Sequence, residues 1–431
     1  MGKGKFVHPK DQIVAFMQRI YDYGMTTTSG GNLSIMDADG CMWISPSGID
    51  KGTLRREDIM CITPDGKIHG PHRPSCEYPF HSGVYKMRPD VKAILHAHPP
   101  MLVSFSVTGQ IPNTFVHPTA RRFCGDVGFA GYDVPGSEAL GEKVSAAFAA
   151  GHRTILLENH GSCVAGTSML HAFQRFETLD YCARMIYNAM CIGKPHYLTE
   201  AEIALSEVDR NAEFKPVEFG ERSSDEMEVR YQMAKLVRRA YKQKMFTSTS
   251  GTLAMRLDKT RFLITPHDAD RASLEADDLV LVDGRTYEAG RVPSQAMWLF
   301  REILDAQPEV NSLLIATPPN LMGYCISHEK FDPCVIPESY IMLREMPSFP
   351  YGTQFNNLKE ITSTLSLRYP IITIENDCAI SCGKTLLEPF DRLEVAEYSA
   401  QATICAPRLG CFNPINGEQI VDLVKAFKLI P

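Results

Sequence analysis

The chain is expected to fold as two α/β layered domains in tandem, and three observations predict this. Its 431 residues exceed one ordinary core and suit two domains of roughly 200 residues each. Pro89-Asp90-Val91-Lys92-Ala93-Ile94-Leu95-His96-Ala97-His98-Pro99-Pro100 returns 219 positions later as Pro308-Glu309-Val310-Asn311-Ser312-Leu313-Leu314-Ile315-Ala316-Thr317-Pro318-Pro319. Around both stretches, amphipathic helices and short apolar strands follow in the same order, the pattern of a layered α/β domain.

Each half opens on a helix. Ile13, Val14, Phe16, Met17, Ile20 and Tyr21 recur at three- and four-residue steps, as do Met233, Leu236, Val237, Ala240 and Tyr241. Each helix runs into a Thr/Ser/Gly turn, Thr27-Thr28-Ser29-Gly30-Gly31-Asn32-Leu33 or Thr247-Ser248-Thr249-Ser250-Gly251-Thr252-Leu253. A short strand follows, ending at Ile44-Ser45-Pro46 or Ile264-Thr265-Pro266, and then a turn at Asp65-Gly66 or Asp283-Gly284. A helix is expected from near Pro74-Ser75 (Pro293-Ser294) to before Pro89 (Pro308), leading into the repeated Val/Ile/Leu strand. A later apolar strand ends in Glu158-Asn159 or Glu375-Asn376. A long helix closes each copy, with Phe173, Arg175 and Glu177 answering Phe390, Arg392 and Glu394. Domain one is taken as residues 1–210 and domain two as 225–431, joined by a polar linker over about 207–225 that contains Pro216 and Gly220.

The totals narrow the function. Apolar content of 44% and charged content of 22% are those of a globular protein, and no run of about 18 apolar residues suggests a membrane span. The first six residues read neither as a secretory signal nor as a myristoylation site, because no apolar core follows and residue 6 is Phe. Thirteen scattered cysteines then read as reduced thiols in a cytoplasmic protein; Cys378 and Cys382 have no second pair with which to form a metal site. A net charge of −7 without a basic stripe excludes a general nucleic-acid footprint.

The chemistry gathers in copy one. His96 and His98 are two residues apart, so on a strand both imidazoles leave the same face. His160 follows a later strand, and Glu77 near a helix start offers a carboxylate. Three histidine nitrogens with one open or carboxylate-filled position suit a catalytic zinc ion. A lone buried histidine is more often a hydrogen-bonded core residue, but copy two argues for a set. There Glu77, His96, His98 and His160 become Ala296, Ile315, Thr317 and Asp377 together. A second group suits an anion: Ser29-Gly30-Gly31-Asn32, Ser45-Pro46-Ser47-Gly48, and Ser75 beside a helix N-terminus. Each alone is an ordinary turn or cap. Copy two again differs, with Thr252 for Asn32, His267 for Ser47 and Asp268 for Gly48, and an aspartate there repels an anion.

The motifs Ser29-Gly30-Gly31-Asn32-Leu33-Ser34, Ile44-Ser45-Pro46-Ser47-Gly48, Pro74-Ser75-Cys76-Glu77, His96-Ala97-His98-Pro99-Pro100 and Asn159-His160-Gly161 together resemble the class II aldolase/adducin family. Within it they look most like the L-fuculose-1-phosphate aldolases. The resemblance covers about 10–195 with ordered motifs, and about 228–405 as framework only. It implies two three-layer α/β/α domains, each with a central mixed, mainly antiparallel sheet, the second a degenerate copy. It implies one zinc ion per chain on His96, His98 and His160, with Glu77 as a further ligand or acid/base. Phosphate would be held by Ser29, Gly31, Asn32, Ser47, Gly48 and Ser75. The implied reaction is retro-aldol cleavage of a phosphorylated ketose through a metal-stabilised enediolate. The same core also serves pentulose-5-phosphate 4-epimerases and sugar-acid-phosphate decarboxylases. A non-catalytic, adducin-like interaction module would lack the ligands, which fits copy two and fails for copy one.

Two departures stand out. Cys76 replaces a usual serine, and Asn113-Thr114-Phe115-Val116-His117-Pro118 lacks the family's loop tyrosine. His117 is a substitute acid/base and Tyr340 of copy two a substitute tyrosine, although a local structural role suits His117 equally. The family's ring assemblies imply a homodimer that mimics a tetramer, with a small phosphorylated sugar as the only other partner.

Overall fold

The computed structural model describes residues 8–429. Among these, a first compact unit holds 8–115 and Thr119–Arg184, and a second holds Val116–Pro118 and 185–429.

Eight strands form the sheet of the first unit: β1 (Asn32–Met36), β2 (Met42–Ile44), β3 (Met60–Ile62), β4 (Ile68–His69), β5 (Ala93–Ala97), β6 (Val127–Ala130), β7 (Thr154–Leu157) and β8 (Gly161–Gly166). Their order is β4-β3-β2-β1-β5-β8-β7-β6. Neighbours are antiparallel except β6 and β7, which are parallel because the helix Glu138–Ala149 carries the chain back between them.

Side-chain alternation along β5 makes three layers. Ala93, Leu95 and Ala97 pack with Ile13, Phe16, Met17 and Ile20 of the helix Pro9–Asp22 and with Phe173 and Phe176 of the helix Met169–Ile192. On the other face Ile94 packs with Phe80 and Val84 of the helix Tyr78–Met87 and with Leu140, Val144 and Phe148 of Glu138–Ala149. Each large apolar side chain so buried contributes about 1.5–3 kcal/mol.

The second unit repeats this framework with nine strands: β9 (Lys215–Val217), β10 (Thr252–Arg256), β11 (Arg261–Ile264), β12 (Val280–Asp283), β13 (Thr286–Glu288), β14 (Ser312–Ala316), β15 (Ser348–Phe349), β16 (Ile371–Ile374) and β17 (Cys378–Gly383). The order is β15-β16-β17-β14-β10-β11-β12-β13-β9, with only β15–β16 and β13–β9 parallel. β14 lies between β10 and β17 as β5 lies between β1 and β8. Small details repeat as well. Asn159 and Asn376 both have positive φ, 52° and 55°, and bridges join Pro46 to Pro74 and Pro266 to Pro293. The protein therefore has two α/β domains, each built on a mixed, mainly antiparallel sheet.

Two details differ from the sequence expectation. The segment expected as a plain linker contains β9, anchored by the buried Phe214 in the core of the second unit. Pro216 has no N–H to donate and is tolerated because β9 is an edge strand. The helix expected from Pro74-Ser75 begins instead at Tyr78, because the Pro46–Pro74 bridge and the bond from Ser75 N–H to Ser45 O hold that segment extended. Glu77, rather than Ser75, therefore stands at the helix N-terminus. Among the described residues no helix is long and apolar enough to cross a membrane.

Candidate active site

Strand β5, the turn before β8 and the start of the helix Tyr78–Met87 place four side chains around one point. His96 lies on β5 opposite Asn32 of β1, and His98 follows just beyond the strand end. The αL conformation of Asn159 turns the chain so that His160 joins them. Candidate ligand atoms of His96, His98 and His160 all lie within 4.8 Å of one another, and among the described residues this is the group suited to a metal ion. Glu77 completes it, with Oε2 3.3 Å from His96 Nε2 and Oε1 3.5 Å from His160 Nε2.

His96 Nδ1 lies 3.0 Å from Ser162 O, a carbonyl that only accepts, so Nδ1 carries the proton and Nε2 presents its lone pair. That lone pair faces His98 Nε2 at 3.1 Å and the Glu77 carboxylate. Burial, together with the neighbouring His160, pushes His96 down to about 3; burial first, then His96 and His160, does the same to His98. Both rings are therefore neutral near pH 7. Glu77 Oε1 is buried without a hydrogen-bond partner. Three imidazoles converging with a buried carboxylate that keeps one oxygen unpartnered form a donor set that suits a cation.

Backbone glycines make room. The His98 ring lies between Gly30 and Gly161, where added methyl groups would come within 2.9 Å of Nδ1 and 2.6 Å of Cδ2. Gly31 has φ +72°, and a Cβ there would stand 2.8 Å from His96 O, so only glycine fits. In the second unit Ser250 and Cys378 occupy the places of Gly30 and Gly161, because Thr317 has replaced the larger ring; Ser250 Oγ and Thr317 Oγ1 are 3.1 Å apart. Asp377, in the place of His160, is half-buried; desolvation raises its carboxyl pKa, and it accepts from Gln354 at 2.8 Å.

The anion turns are variously disposed. Ser29, Ser47 and Gly48 are exposed, Gly31 is half-buried, and Ser75 is buried with its Oγ accepting from Glu77 N–H at 3.3 Å. Asn32 is turned inward: Nδ2 donates to Glu77 Oε2 at 2.7 Å and Oδ1 faces His81 Nε2 at 2.5 Å. Any phosphate contact from its side chain falls to the second amide hydrogen. His117 belongs to the second unit, where Nε2 donates to Asp377 O at 2.7 Å. Tyr340 is half-buried on the helix Pro337–Leu343 of that unit.

Sequence reasoning missed three residues behind Glu77. His81 and Tyr85 on the helix Tyr78–Met87 and Ser34 on β1 are all buried, with Ser34 Oγ 2.6 Å from His81 Nδ1 and 2.8 Å from the Tyr85 hydroxyl. The signal was present in copy two, where Ala254, Phe300 and Leu304 stand at the matching positions.

The chain has relatives among known proteins. The family model described as "Class II Aldolase and Adducin N-terminal domain" matches residues 11–187 and again 231–404, so the chain belongs to that family and carries its domain twice. A 5-deoxy-D-ribulose 1-phosphate aldolase of Bacillus thuringiensis serovar kurstaki is 31% identical over 204 residues, 45% of this chain and 91% of that protein. A 3-oxo-tetronate 4-phosphate decarboxylase of Haemophilus influenzae is 31% identical over 198 residues, 45% of this chain and 93% of that one. A solved L-fuculose 1-phosphate aldolase shares 29% identity over 48% of this chain and 97% of its own, with a TM-score of 0.43. The protein is thus an enzyme of the class II aldolase family.

Proposed function

We propose that the first domain is a zinc-dependent lyase that cleaves a phosphorylated ketose by a retro-aldol reaction, with one zinc ion per chain. The observation that carries this is the convergence of His96, His98, His160 and Glu77 on one point, with Glu77 Oε1 buried and lacking a hydrogen-bond partner. His96, His98 and His160 would hold the ion, with Glu77 beside it. When bound, the ion supplies Lewis-acid stabilisation of oxygen charge as the carbon–carbon bond breaks.

The chain's own residues do the rest. Glu77, buried and lacking a partner at Oε1, is placed to accept a proton and return it to the carbanion carbon. The turns at Ser29, Gly31, Ser47 and Gly48, with Ser75 and the second Asn32 amide hydrogen, would hold the phosphate and fix the reacting carbons near the histidines. Burial of His96 and Glu77 keeps bulk water from quenching the carbanion. A sugar phosphate is the small-molecule partner and the cytoplasm the compartment in this reading.

A decarboxylase is the second reading, favoured by the equal identity to the 3-oxo-tetronate 4-phosphate enzyme. Metal analysis of the purified protein should find about one zinc per chain. Turnover measured on a ketose 1-phosphate, a pentulose 5-phosphate and a sugar-acid phosphate then separates aldolase, epimerase and decarboxylase. A wild-type protein that binds no metal and turns over none of the three would end the lyase reading.

A further inference from the structure

Behind Glu77 runs a buried chain of hydrogen bonds whose direction can be worked out from one end. Glu77 Oε2 accepts from Asn32 Nδ2, so the other face of that amide is its carbonyl, Oδ1. A carbonyl only accepts, so the nitrogen 2.5 Å away, His81 Nε2, carries a proton. His81 is fully buried, and desolvation pushes it down to about 3, so the ring is neutral and Nδ1 is an acceptor. Ser34 therefore donates its hydroxyl hydrogen to Nδ1 and accepts from the Tyr85 hydroxyl. Every donor runs one way: Tyr85 to Ser34, Ser34 to His81, His81 to Asn32, Asn32 to Glu77.

We propose that His81 is a positioning residue for Glu77, acting through Asn32 to tie Oε2 and leave Oε1 as the oxygen that works on the substrate. This rests on Glu77 being the acid/base of the lyase. An Asn32 amide free to rotate could present its oxygen to Glu77, where two acceptors would repel; His81 forbids that orientation. The proton that Glu77 takes from the substrate, and later gives back to carbon, rides on Oε1, which has no hydrogen-bond partner, whereas Oε2 accepts from the Asn32 N–H and faces His96 Nε2.

Copy two supplies an independent observation. Where Glu77 has become Ala296, the chain behind it has become Thr252, Ala254, Phe300 and Leu304. Phe300 and Ala254 are buried in that copy, so the fold accepts apolar residues at these positions. A buried polar network held for packing would have no reason to disappear with the carboxylate.

The test compares His81→Gln, whose Nε2–H can still donate to Asn32 Oδ1, with His81→Asn, which cannot reach it, and His81→Phe, the residue copy two uses. Expected is a kcat reduced about 10- to 100-fold in Asn and Phe, near-wild-type kcat in Gln, and KM for the sugar phosphate unchanged in all three. A role in packing alone would make Phe the mildest change and lower all three with stability. Wild-type kcat in a folded His81→Phe enzyme would overturn the proposal.

Two readouts do not depend on turnover. In the metal-free wild-type protein, ¹⁵N NMR of His81 should show Nε2 protonated and Nδ1 accepting; the opposite tautomer overturns the chain whatever the enzyme's reaction is. Titration with Co²⁺ alone should give a weaker site in His81→Asn than in His81→Gln, and equal binding would remove the link to Glu77. A wild-type protein that shows the expected tautomer but neither binds Co²⁺ nor turns over sugar phosphates would refute the lyase reading, and with it the role given to His81.

Discussion

His98, just beyond β5, is more exposed than His96, and its replacement tests the candidate centre most directly. His98→Ala should reduce bound zinc from about one per chain to near zero, measured by elemental analysis, with little loss of fold because Thr317 fills the same place in copy two. His81 makes a different prediction. Its pKa is about 3 in the folded protein, below the ordinary histidine value of about 6.5 in an unfolded chain. A depressed basic group binds fewer protons when folded, so its contribution is complete above about 6.5 and is lost as pH falls toward about 3. The urea midpoint of the metal-free protein should therefore drop between those values, and that of His81→Gln should drop less.

The turn between β7 and β8 shows how an element serves the site. Gly161→Ala would press a methyl against Ala97 O and His98 Cδ2, both 2.6 Å away, with backbone on one side and an imidazole of the candidate site on the other. Expected is at least a tenfold loss of zinc affinity, read by chelator competition. Cys378→Ala, at the matching position of β17, should leave zinc binding unchanged. In the second unit, the helix Ser224–Lys242 is fastened by Arg230, buried and bonded to Glu226 Oε1 and Glu288 Oε2 at 2.8 Å each. Arg230→Ala would leave the buried Glu226 carboxylate without its guanidinium, while Glu288 keeps Arg222 at 2.9 Å, at a cost of about 3 kcal/mol by chemical denaturation. Element boundaries were less legible than element types. The helix start at Tyr78 and the strand β9 depend on pairing with residues far along the chain, Pro46 and Tyr287 respectively, which local periodicity does not contain.

The whole chain is a duplicated framework with one candidate site, in its first copy. One zinc per chain, rather than two, is the expectation for a copy two that offers Ala296, Ile315, Thr317 and Asp377. Sedimentation should give twice the chain mass if the homodimer implied by the family resemblance forms, and a monomer would remove that expectation. The repeat itself made much of the architecture readable. Two α/β domains, the central strands β5 and β14, and the set His96, His98, His160 and Glu77 all followed from comparing the halves, because the same fold was kept while these four residues were replaced in one.

The linear order of residues was enough to indicate the framework, to single out His96, His98, His160 and Glu77 in copy one, and to show their replacement in copy two. These depend on periodicity and residue type, which are local. The tertiary structure decided how the groups meet: that Asn32 turns inward to Glu77, that His81, Ser34 and Tyr85 stand in line behind it, and that His117 spends its proton on Asp377 O. The physical reason is that hydrogen-bond direction in a buried site is fixed by which acceptor lies opposite each donor. That pairing joins β1 to a helix more than forty residues away, and only packing sets it.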